Sequence, residues 1–66
     1  MNKPKYKIGD RIYLNINGQT VLSTIRGVME NHDSTGWKYG FHLGINYLWS
    51  DIWFQEEYLE RECKRL

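Results

Sequence analysis

The dipeptide Asn17-Gly18 stands between two runs of alternating residues, and that arrangement narrows the fold more than anything else in the chain. Before it, Ile12, Leu14 and Ile16 alternate with Arg11, Tyr13 and Asn15; after it, Val21, Ser23 and Ile25 keep the same spacing. A period of two sends each set to one face of a strand. Asn and Gly tolerate the positive φ angles of a type I′ turn, so residues 11–16 and the segment after Gly18 read as a β-hairpin. The second strand is expected to run over residues 19–29, with Gly27 as a bulge that returns Val28 to the core. A long strand that bends is what closure of a small barrel requires.

Residues 30–36 (ENHDSTG) form a polar turn cluster, after which Trp37, Tyr39, Phe41 and Leu43 alternate with Lys38, Gly40 and His42 as a third strand. Between residues 44 and 54, Ile45, Tyr47, Leu48, Trp49, Ile52, Trp53 and Phe54 are too dense for either period to win, so a loop and a short fourth strand over residues 52–54 are expected. The tail EEYLERECKRL has acidic residues early and basic residues late, with Glu57 to Arg61 and Glu60 to Lys64 at i, i+4. It is expected to be a helix over residues 56–65 with Leu59, Cys63 and Leu66 as its apolar stripe. Residues 1–7 are an extended lead-in.

At 66 residues there is room for one core and not two, so residues 1–66 are expected to form a single domain. Three Trp, five Tyr and two Phe supply apolar area that so short a chain otherwise lacks, which makes Trp37, Trp49 and Trp53 core candidates. One cysteine, Cys63, excludes an intrachain disulfide, and no apolar run reaches the length of a membrane span or a signal core. A cytoplasmic location without membrane contact is the expectation.

The run KIGDRIYLNINGQTVLSTIRGV, from Lys7 to Val28, and the tail IWFQEEYLE, from Ile52 to Glu60, resemble small bacterial and phage SH3-like β-barrel proteins. The resemblance covers about half the chain. It implies a mostly β fold, a small antiparallel barrel with a short C-terminal helix, and core positions at Ile12, Leu14, Val21, Ile25, Val28, Tyr39, Phe41, Trp53 and Leu59. Ser23 departs from the pattern, where glycine is expected. The family implies binding and names no ligand.

Catalysis has little to stand on. Cys63 lies on an apolar helical stripe, and His32 and His42 have no zinc-holding spacing with Asp33 or Cys63. Glu56, Glu57 and Glu60 belong to a salt-bridged surface helix, and no glycine motif cradles a phosphate. No enzyme activity, metal or cofactor is expected.

Nine basic residues against eight acidic ones give a net charge of +1, too balanced for a dedicated nucleic-acid binder. A protein partner is the leading expectation, because a small barrel cannot absorb ten aromatics and Tyr, Trp and Arg dominate binding hot spots. Strand alternation sends Tyr13 outward, and Tyr47, Leu48 and Trp49 have no assigned inward period. These four form an expected contact patch, unless the loop folds back and Trp49 caps the barrel as core. Such a patch could equally pair with a second copy of the chain. An accessory or inhibitor protein of a phage or mobile element fits a short, aromatic-rich chain by analogy. The alternative is nucleic-acid binding by Lys5, Lys7, Arg11, Arg26 and Lys38 with Tyr6 as a stacking platform.

Overall fold

A computed structural model describes residues 3–45 and 48–66. The expected hairpin is present: β1 (Arg11–Ile16) pairs antiparallel with β2 (Gln19–Thr24), and Ile16 opposite Gln19 closes the turn. Asn17 and Gly18 both have positive φ, 50° and 80°, as a type I′ turn requires.

The second strand is not continuous. It breaks at Ile25 and Arg26 into β2 and β3 (Gly27–Glu30), and the two halves join different sheets. The Ile25 N–H donates back to the Asp10 carbonyl at 2.8 Å, whereas the next N–H, that of Arg26, donates to the Gly40 carbonyl at 2.8 Å. Gly40 is also the register partner of Gly27, so two residues on one strand oppose one on the other, as in a β-bulge.

β3 pairs with β4 (Trp37–Ile45), which pairs along its length with β5 (Leu48–Gln55). The expected loop after residue 43 is therefore strand up to Ile45, and the fourth strand begins at Leu48 rather than 52. The helix α1 (Glu56–Glu62) is shorter than expected, because Cys63 is extended and Lys64–Arg65 forms β6 against Ile12 and Tyr13. The Leu66 N–H donates to the Arg11 carbonyl at 3.0 Å, so the unpaired edge of β1 takes the tail that the helical stripe would have used. Leu66 is accordingly exposed.

The result is two three-stranded antiparallel sheets, β2-β1-β6 and β3-β4-β5, neither closed on itself. Ile12, Leu14, Ile25, Tyr39, Phe41, Leu43 and Leu59 are buried between the sheets and the helix. Ser23 is also buried, on the same inward face as Ile25. Of the other expected core residues, Val28 and Trp37 are half-buried against this cluster, and Val21, Trp53 and Trp49 are exposed. Val21 points inward but lies on an edge strand that nothing covers, and it stays 38% exposed. Trp53 is 42% exposed because Ile52 and Phe54 take the inner face of β5 and turn it outward.

The N-terminal segment is clasped to the C-terminal end. Lys5 Nζ meets Glu60 at 2.7 Å, and Arg65 Nη2 donates to the Lys5 carbonyl at 2.8 Å while its guanidinium covers the Tyr6 ring. The Tyr6 N–H donates to the Tyr39 hydroxyl at 3.3 Å, and that hydroxyl donates to Glu56. Burial, reinforced by the Glu56 bond, raises the Tyr39 phenol well above its ordinary pKa.

Candidate binding face

The outer face of β3-β4-β5 is built from glycines and tryptophans in register. The β4–β5 ladder sets Gly40 opposite Trp53 and Gly44 opposite Trp49, and β3 places Gly27 beside Gly40 in the same row. A Cβ on Gly40 would stand 3.0 Å from the Trp53 ring, one on Gly27 would stand 2.9 Å from it, and one on Gly44 would stand 3.2 Å from the Trp49 ring. Each indole therefore fills the space that a neighbour's side chain would take. Four residues apart on one strand face, the two rings sit roughly 13 Å from each other.

The neighbouring residues hold the rings further. His42 stacks on Trp49 with centroids 5.1 Å apart and planes 11° from parallel, and its Nδ1 lies 2.9 Å from the Asp51 carboxylate. Lys38 Nζ sits 5.7 Å from the Trp53 ring centroid, within cation–π range. Trp49 nevertheless remains 68% exposed.

Beside this face runs a groove of about 770 Å³ between β2 and the second half of β4. Ile16, Val21 and Leu43 line it together with Leu22, His42 and Trp49, and Arg26 stands where it meets a smaller cleft against Trp53.

The expected contact patch is brought together only in part. Trp49 is exposed and does not cap the core. Tyr13 is exposed on the outer face of the other sheet, opposite Leu22, and it is Leu22 that reaches the groove. Leu48 opens β5, while its side chain and all of Tyr47 lie outside the described residues.

The expected basic face is divided. Lys5 is tied to Glu60, and Tyr6 is half-buried with its ring edge-on to Tyr39 at 5.2 Å and Arg65 over it, so it offers no open stacking surface. Lys7 and Arg11 remain exposed near that end, whereas Arg26 and Lys38 belong with the tryptophans on the second sheet. Sequence reasoning missed Trp53 as a surface residue, and it set His42 on the polar face of its strand without counting it toward a binding site. The signal was a shared spacing: Gly40 and Gly44 are four apart, as are Trp49 and Trp53, which the antiparallel β4–β5 register turns into two facing pairs.

Among the described residues no group of three or more His, Cys, Asp or Glu is placed to hold a metal ion, and no helix is long and apolar enough to cross a membrane. No protein-family model, curated protein or solved structure matches the chain.

Proposed function

We propose that the chain is a small, non-catalytic, SH3-like binding module that engages a protein partner through the exposed aromatic surface centred on Trp49. The observation that carries this reading is an indole two-thirds exposed yet fixed by Gly44 behind it and His42 stacked on it. A large side chain already held in place offers apolar area at little cost in rotamer entropy, which is the character of a hot spot. The SH3-like assignment draws on the bent connection at Arg26, the two facing sheets and the helix that sets Leu59 into the core. An accessory or inhibitor role, acting by occupying its partner, is part of the same proposal.

Nucleic-acid binding is the second reading, favoured by Lys38 over the Trp53 ring and by an Arg26 that has no ion-pair partner among the described residues. One pair of measurements separates the two. Peptides selected from a random display library on the wild-type protein are expected to bind Trp49→Ala about tenfold or more weakly, with the variant still folded by circular dichroism. Titration with oligothymidylate and random duplex DNA at low salt is expected to show no binding. Steeply salt-dependent DNA binding, with selected peptides indifferent to Trp49, transfers the function to nucleic acid.

A further inference from the structure

β2 is a strand edge left without the devices that usually protect one. Its six residues, QTVLST, contain no charge and no proline, whereas exposed edges are commonly blunted by Lys, Pro or a bulge. By comparison β5, the other long edge, carries Asp51, and β3 is short and ends in Glu30.

Hairpin geometry states which backbone groups are free. In a two-residue turn the closing pair Ile16 and Gln19 exchanges both hydrogen bonds, and bonded pairs recur at every second position. Gln19, Val21 and Ser23 thus bond to β1, and the N–H and C=O groups of Thr20, Leu22 and Thr24 point away from it. None of these three has a backbone partner among the described residues. The opposite wall has the same character. β3 pairs with Trp37 to Gly40, so among the described residues the distal half of β4 has no neighbouring strand on that side, where the peptide groups of His42 and Gly44 face the groove.

We infer that this groove takes an extended, acidic segment of a partner polypeptide as an added strand along β2. The inference rests on the protein-binding reading above and names the partner's chemistry. Unpaired strand edges call for a backbone with its own donors and acceptors, and the floor of Ile16, Val21 and Leu43 accepts the inward side chains of alternate residues. Arg26 lines the groove with no ion-pair partner among the described residues, whereas His42 already meets the Asp51 carboxylate, so Arg26 is the charge that selects an acidic residue at an outward position. A second copy fits less well, because its β2, QTVLST, carries no acidic residue to meet Arg26.

The probe is a blocked peptide of the length of β2 that alternates Val with Glu, followed by amide exchange in the labelled protein. Slowed exchange at Thr20, Leu22 and Thr24 is expected, with the already bonded Gln19, Val21 and Ser23 little changed. Leu22→Pro removes one outward N–H without touching the β1 ladder, and is expected to weaken binding about fivefold or more, while Leu22→Ala stays within about twofold. If Leu22→Pro does not fold, the wild-type exchange pattern decides. Equal binding by a Val–Lys peptide, no change at these three amides at saturating or millimolar peptide, or slowed exchange on raising protein concentration alone overturns the inference. Library-selected peptides that depend on Trp49 but leave the β2 amides unchanged overturn it while the protein-binding function stands. Binding of oligothymidylate with no peptide selected removes both.

Discussion

Trp53 looks like a surface residue by exposure but is expected to behave like a core residue in stability, and Trp53→Ala tests this against Trp49→Ala. A tryptophan buries up to about 250 Å². With Trp53 42% exposed, roughly 140 Å² is covered, and at about 25 cal/mol per Å², reduced for a compact unfolded chain, its loss costs about 2–3 kcal/mol. The cost is concentrated at Gly27 and Gly40, whose backbone the indole shields and which have no side chains of their own to replace it. Trp49, 68% exposed, covers roughly 80 Å² and its removal costs about 1–2 kcal/mol. Thermal and urea unfolding followed by far-ultraviolet circular dichroism measure both, with each kcal/mol lowering Tm by about 4–8 °C in a domain of this size. A Trp53→Ala variant within about 0.5 kcal/mol of wild type, or a Trp49→Ala variant that loses more than Trp53→Ala, refutes the glycine-backed packing.

Ile25, 1% exposed at the junction of the two sheets, is expected to cost about 2–5 kcal/mol on substitution by Ala, enough to leave little folded protein by urea titration; a loss below about 0.5 kcal/mol contradicts its burial. Tyr39 sets the alkaline limit. Its phenol is raised above 10.0 by burial and by its bond to Glu56, so the stability it adds is fully present below pH 10 and is lost as pH rises toward the folded value, by about 1.4 kcal/mol per pH unit for one proton. Tyr6, raised by burial, acts in the same direction. Unfolding midpoints between pH 9 and 11.5 are expected to fall less steeply in Tyr39→Phe than in wild type, and parallel curves contradict the assignment.

The mostly β architecture and the first hairpin were legible because β1 has one apolar and one polar face, and because Asn17-Gly18 suits only a few turns. β5 was not legible for the opposite reason. It carries Ile52 and Phe54 inward and Trp49 and Trp53 outward, so apolar residues fill both faces and the period of two disappears. The division of the second strand was hidden as well, since the side-chain pattern runs through Ile25 and Arg26 while the backbone changes partners there. β6 left no trace in the side chains, because two residues that pair through the backbone need no apolar pattern. Of the candidate site, Trp49 and Lys38 were found from unassigned aromatic residues and basic charge, but the groove depends on which edges stay unpaired, a property of topology.

The contact between Lys5 and Arg65 makes the chain nearly a ring. With the Arg65 guanidinium on the Lys5 carbonyl at 2.8 Å, a short flexible connection can join these ends at little loop-closure cost. New termini can then be cut at the exposed turn around Ser34, which lies between β3 and β4 and outside every strand pair. Such a rearranged chain keeps both sheets and carries the tryptophan face and the β2 edge intact into a host protein, inserted as a cassette rather than appended at an end.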